Sequence, residues 1–290
     1  MKINLDCVLC FQRQALQAVR FISDNEQVHE KVLRDVMKKL LDLNWDASPP
    51  EMAHEVHKIV RNVTKNKDPY NVVKKESNNL VLKLYPELKL KVEKNKDPLK
   101  MAIRFAIAGN IIDYGALDEF NINRTLREIA TKRFAVDDYN TFKEKVAEAK
   151  TLLFFADNAG EIVLDRLLLE TILKKKKFQK ISLVTKGGPI INDATIQDAV
   201  YVDMTTLPNV EFLTISNGEV GTGPQRNSQT VKRWIEEHDL VISKGQGNYE
   251  GLSEYNDIFF LLLAKCPVIA SDLAINKYDM VLKYNAHKKK

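Results

Sequence analysis

TLLFFADNAGEIVLD, residues 151–165, changes character halfway along. Thr151 to Ala156 is a short apolar run rich in Leu and Phe, the length and content of a buried strand. Asp157, Asn158, Ala159 and Gly160 follow at once. A helical pattern then begins, with Ile162, Val163 or Leu164, Leu167, Leu168 and Leu169 forming one broad apolar face. Two oxygen-bearing side chains therefore stand where a strand hands over to a helix. Ligands of open α/β sheets bind at the carboxyl ends of strands, and helix amino termini favour anions. An Asp and an Asn placed there can hold a hard divalent cation, which can in turn hold a phosphate. Helix capping uses the same residue types, so the surrounding chain has to arbitrate.

Downstream, helical and strand patterns alternate from about residue 139. Helix 139–149 leads into strand 151–156, and helix 160–175 into strand 180–185. After a loop and a short helix come strand 210–215, helix 227–237 and strand 239–243. Helix 254–264, strand 267–271 and strand 279–284 complete the pattern. Such alternation predicts βαβ units and a mostly parallel, doubly wound sheet between helical layers. The strand ends then share one edge. The first brings Asp157 and Asn158. The second brings Thr185, Lys186, Gly187 and Gly188, then Asn192 and Asp193. Ser216, Asn217 and Gly218 follow the third. The fourth brings Ser243, Lys244, Gly245, Gln246, Gly247, Asn248 and Glu250. Carboxylates for a cation, lysines for phosphate oxygens, and glycines that let backbone N–H groups approach an anion make a metal–phosphate site. No GxGxxG follows the first strand and no GxxxxGK[ST] occurs, which argues against dinucleotide and Walker-type sites. A second aspartate of a DxD nucleophile is absent at 157–159, and no histidine lies in these loops.

Upstream, residues 11 to about 128 read as helices over 11–23, 25–43, 50–64, 70–84, 86–94, 97–113 and 116–129, punctuated by prolines. Asp68-Pro69-Tyr70 reads as a helix start, which leaves Asn78 without a role. In Ala108-Gly109-Asn110-Ile111-Ile112-Asp113, Asn110 and Asp113 continue an apolar helix face and are either site residues or a helix end capped by Gly115. Cys7 and Cys10 form the one CxxC of the chain. They can be buried structural thiols, a redox pair, or half of a structural metal clip completed by His54 and His57 on one helix face. Cys266 falls in a strand pattern and reads as a core residue.

The 290 residues, 44% apolar and 29% charged with a net charge of +5, describe an ordinary globular protein. Lysine runs such as Lys174–Lys177 lack the interleaved aromatics of a nucleic-acid platform. Three cysteines do not make a disulfide framework. No apolar stretch is long enough to span a membrane, and Lys2 and Asp6 flank no signal sequence. The expectation is a cytoplasmic protein with reduced thiols, binding neither nucleic acid nor membrane.

DNAGE (157–161), KGGPIINDAT (186–195), SKGQGNYE (243–250), AGNIID (108–113) and DPY (68–70) together resemble the family first named domain of unknown function 89, the metal-dependent damage-control phosphatases. The resemblance covers nearly the whole chain, with its motifs in the family's order. The N-terminal CxxC is similar to that of stand-alone archaeal and bacterial members. It implies an all-helical N-terminal portion (1–130) on a three-layer α/β/α core (131–290), Asn110 and Asp113 coming from the interface. It implies divalent-metal-dependent hydrolysis of small phosphometabolites, namely sugar phosphates, phosphopantetheine derivatives or nucleotides, with Mg, Mn, Co or Ni. By similarity Asp157, Asn158 and Asp193 carry the metal and Lys244 contacts the phosphate. Asn110, Asp113, Lys186, Asn192 and Glu250 are further pocket residues. Two rivals are weighed against this reading. A Rossmann-like methyltransferase needs a glycine-rich first loop, where DNAGE has one glycine; a non-catalytic phospho-ligand or metal-binding module needs less than this constellation.

Overall fold

Seven strands form one sheet in a computed structural model of the chain, which describes residues 1–109, 128–129, 131–216 and 228–287. Across the sheet the order is β1 (Phe134–Asp137), β7 (Met280–Asn285), β6 (Ile258–Leu263), β5 (Leu240–Lys244), β2 (Thr151–Phe155), β3 (Lys180–Lys186) and β4 (Val210–Ile215). The last five run parallel, whereas β7 lies antiparallel to β6 and carries β1 parallel to itself. Before the sheet come α1 (Leu5–Arg20), α2 (Glu26–Leu41), α3 (Pro49–Thr64), α4 (Asn71–Glu93) and α5 (Pro98–Ala108). Between strands lie α6 (Tyr139–Glu148), α7 (Glu161–Leu173), α8 (Ile196–Tyr201), α9 (Gln229–Glu236), α10 (Gln246–Leu252) and α11 (Pro267–Asp272).

Strand side chains alternate between faces, and that alternation sets the layers. Leu152 and Phe154 of β2 pack with α4, α5 and α7. Leu153 and Phe155 pack with α9, α10 and α11. The expected three-layer α/β/α core is therefore present. The helical portion, however, is not one body. Phe11, Ala15, Val32, Val36, Val56 and Val60 of α1–α3 form their own cluster, closed by Tyr70. Leu84, Leu88, Phe105 and Ile107 of α4 and α5 instead share the sheet's core. Packing thus divides the chain near Tyr70 rather than near residue 130.

Several segments differ from their expected form. Residues 254–264 were expected as a helix, but Ile258–Leu263 is β6, buried along its whole length. A continuous apolar run has no period of its own. Helix and strand preferences differ by less than ~1 kcal/mol per residue, and burying each large apolar side chain contributes ~1.5–3 kcal/mol, so the slot between β5 and β7 decides. Residues 267–271 were expected as a strand. They form α11, with Cys266 as N-cap accepting from the Ile269 N–H and Pro267 in the first turn. The edge strand β1 is too short to show in the pattern. Pro86 does not break the chain either: α4 runs through it as a single helix. Among the described residues no helix is long and apolar enough to cross a membrane.

Candidate metal and phosphate site

The turn after β2 is held from three sides. The Ala156 N–H donates to the Val184 carbonyl (3.0 Å), which extends the pairing with β3 by one step. Gly160 then caps α7 at φ +78°. Its N–H donates to Asn78 Oδ1 (2.6 Å), and Asn78 Nδ2 donates to Asp198 Oδ1 (2.9 Å). Asn78, unexplained by helix capping, is thus the strut that α4 extends to the DNAGE turn. Lys74, one turn earlier, pairs with Asp68 (3.0 Å) and Asp198 (3.6 Å).

The loop after β3 folds back onto this turn. Its Ala194 N–H donates to the Asp157 carbonyl (2.7 Å) and the Ala159 N–H donates to the Asn192 carbonyl (2.9 Å). The resulting bridge sets Asn158 opposite Asp193. Neighbours in the sheet but distant in sequence, β2 and β3 therefore bring Asp157, Asn158 and Asp193 together. Asn158 Nδ2 donates to Asp157 Oδ2 (2.6 Å) and to Glu161 Oε2 (3.3 Å). Lys186 Nζ lies 3.4 Å from Asp193 Oδ2 and 3.5 Å from Asn248 Oδ1. Asn248 Nδ2 in turn donates to the Ala156 and Lys244 carbonyls (3.0 and 2.8 Å), tying α10 to the ends of β2 and β5.

Burial pushes the Asp157 carboxyl well above the usual range; the charges of Glu161 and Asp193 push the same way, and Lys186 and Lys265 pull back. Burial also raises Asp193, against Lys186 and Lys74. Crowded, buried carboxylates of this kind favour a bound cation over their own ionisation in its absence. Their oxygens, with the Asn158 amide oxygen, match the ligand preference of a hard divalent ion. Among the described residues no three His, Cys, Asp or Glu side chains are already drawn around one point. Here Asp157 and Asp193 are instead held by Asn158 Nδ2 and Lys186.

One expected pocket residue, Lys244, is turned inward. Lys244 was expected on the phosphate. It is fully buried, and its Nζ donates to the Ala106 carbonyl (2.8 Å), to Glu161 Oε1 (2.7 Å) and to Asp165. Its three donors are used, so it positions Glu161 from beneath. Burial pushes Asp165 up to about 7, with Lys244 pulling against it. Glu250, one turn beyond Gln246 on α10, accepts from Gln246 Nε2 (3.0 Å). Asn192 serves through its backbone carbonyl. Asn110, Asp113, Asn217 and Gly218 lie outside the described residues.

Three contributors escaped the sequence reading. Glu161 stands one helical turn after Asp157, within the quoted motif, so spacing could have revealed it. Lys74, one turn after Tyr70 in the helix that Asp68-Pro69 starts, carries no signal of its own. Lys265 follows β6, and the helical reading of that segment hid its place at a strand end.

The fold and this edge define a three-layer α/β/α protein with an acidic, lysine-flanked site at the carboxyl ends of parallel strands. The chain belongs to the ARMT1-like damage-control phosphatase family, whose domain model matches residues 3–281. A damage-control phosphatase of Archaeoglobus fulgidus is 31% identical over 98% of this chain and 99% of its own length. One of Pyrococcus horikoshii is 30% identical over 99% of this chain and 100% of its own. An uncharacterised protein of Methanocaldococcus jannaschii is 31% identical over 97% of this chain and 95% of its own. A crystal structure of a DUF89 family protein from Pyrococcus horikoshii superposes with a TM-score of 0.87 at 28% identity, covering 98% of this chain and 99% of that one.

Proposed function

We propose that this chain is a divalent-metal-dependent phosphatase acting on small phosphorylated metabolites, in the cytoplasm, as part of metabolite damage control. The observation that carries the reading is the meeting of Asp157, Asn158 and Asp193 at adjoining strand ends, with Lys186 3.4 Å from Asp193. Asp157, Asn158 and Asp193 would hold Mg²⁺, Mn²⁺, Co²⁺ or Ni²⁺. Such an ion supplies Lewis-acid neutralisation of phosphoryl charge. Lys186 and Lys265 offer cationic donors to the remaining phosphoryl oxygens. A carboxylate of the Asp157–Asp193 pair orients the attacking water. Glu161, fixed by Lys244 and Asn158, holds the Asn158 amide in place. The substrate set comprises sugar phosphates, phosphopantetheine-type and nucleotide-type compounds.

The test is hydrolysis of an aryl phosphate and a sugar-phosphate panel after chelation, then with each metal restored, beside Asp157→Ala. Metal-dependent turnover that falls at least about a thousandfold in the variant is expected. A folded protein that binds phosphate but turns over nothing with any metal would replace this reading with a binding module.

A further inference from the structure

The loop that carries Asp193 to the site is gripped by two different bodies. On the core side the Ala159 N–H donates to the Asn192 carbonyl (2.9 Å), the Ala194 N–H to the Asp157 carbonyl (2.7 Å) and the Lys186 N–H to the Ala194 carbonyl (2.9 Å). On the bundle side Arg61 Nη1 of α3 donates to the Pro189 carbonyl (3.3 Å), and the Ile191 side chain packs against the α1–α3 cluster. Ile191 is thus held by the bundle, and its neighbour Asn192 by the DNAGE turn.

The backbone between the two grips is strained. The Asp193 N–H donates back to the Ile190 carbonyl (3.0 Å), which closes a four-residue turn with Ile191 at its first central position. Ile191 has φ +44° there, and among the described residues it is the only β-branched one with a positive φ. A branched Cβ makes that conformation an outlier. Turns with a positive φ at this position ordinarily take Gly, Asn or Asp. Glycines stand close by at 187 and 188, yet the strained position holds an isoleucine. Strain of this kind persists only where the surroundings over-determine it. The apolar side chain supplies that determination. Relaxing to a negative φ would redirect it away from the bundle cluster and return apolar surface to water.

We propose that Ile191 is a positioning residue for the acidic group: by holding its side chain, the α1–α3 bundle keeps the 190–193 turn left-handed, and the turn sets Asp193 opposite Asn158. Its consequence for metal binding rests on the phosphatase reading of Asp157, Asn158 and Asp193. The bundle then helps to assemble the site from a distance, through one backbone conformation. A side chain that only filled space would behave differently, since its loss would matter in proportion to the volume removed.

Ile191→Ala and Ile191→Gly in the full-length protein separate the two roles. Alanine loses the grip and keeps a Cβ that resists positive φ. Glycine loses the grip and the resistance together, because it populates positive φ about as readily as negative. Ile191 is half-buried, so both variants should fold. Mn²⁺ affinity is measured by electron paramagnetic resonance, and exchange of the Asp193 and Ala194 N–H groups by NMR in metal-free protein. In Ile191→Ala the affinity should fall about tenfold and the exchange quicken by a similar factor, because the competent turn becomes the minority form. In Ile191→Gly each change should be only about twofold. Space filling alone gives the reverse order, with glycine losing at least as much as alanine. Equal losses, that reverse order, or exchange unchanged in both variants would overturn the proposal. A wild type that takes up no Mn²⁺, with exchange still in the expected order, would sink the metal reading and leave the role of Ile191 standing.

Discussion

Gly245 shows how tightly single residues shape the site. It stands between Lys244 and α10 at φ +81°, and a Cβ there would lie 1.8 Å from Asp157 Oδ2. Asp157 is itself tied to Asn158, so it has no room to retreat. Gly245→Ala is therefore expected to cost about 1–3 kcal/mol of stability and to lower metal-restored phosphatase activity on the order of a hundredfold. Gly247→Ala is the control, because nothing lies within 4 Å of a Cβ at that position. Urea unfolding and the aryl phosphate assay on both variants check the pair; equal losses at 245 and 247 would show that the close approach to Asp157 is unimportant. The residue types at 157, 158 and 193 were legible from sequence because turn residues between a strand and a helix leave a local signature. The direction of Lys244 was not, since a lysine at a strand end points to phosphate or to core according to what packs above it.

Helix α7 explains that choice. Ile162, Val163, Leu164, Leu167, Leu168, Leu169 and Ile172 bury most of its circumference between the sheet and α4–α5. Glu161 and Asp165, four apart on one face, are fully buried with it and need a cation, which β5 supplies as Lys244. Breaking a buried ion group by removing one partner is far costlier than replacing all of it. Lys244→Met should destabilise the protein by about 3–5 kcal/mol, and adding Asp165→Leu should recover at least about half of that loss. Denaturant midpoints of the single and double variants measure this. A single variant as stable as wild type would contradict the structural role given to Lys244.

At the scale of the molecule, the α1–α3 bundle and the α/β core meet around α3 and the loop after β3. Arg61 Nη1 donates to the Pro189 carbonyl (3.3 Å), and Ile191 packs on the bundle cluster. Inside the bundle His57 is buried, and neither ring nitrogen has a partner among the described residues. Burial first, then the charges of Arg61 and His54, lower it to about 3. The folded protein thus keeps this ring neutral where the unfolded chain, titrating near 6.5, takes up a proton. The stability that His57 supports is fully present above about pH 6.5 and falls by roughly 1.4 kcal/mol per unit as pH drops below it, down to the folded value. Between pH 7 and pH 5 the wild type should lose about 2 kcal/mol more than His57→Leu, measured by urea unfolding at both pH values. Parallel losses in the two proteins would mean that His57 is solvated or paired.

By itself the sequence determined the alternating α/β architecture, the common edge of the strand ends, the Asp157–Asn158–Asp193 group and the family. Those features depend on local period and on turn residues, which the chain carries position by position. Only the tertiary structure decided that Ile258–Leu263 is a strand, that α4 and α5 belong to the sheet's core, and that Lys244 faces inward while Lys186 and Lys265 act on the acidic pair. Each of these outcomes depends on burial and partner geometry summed over elements distant in sequence, and no local pattern encodes that sum.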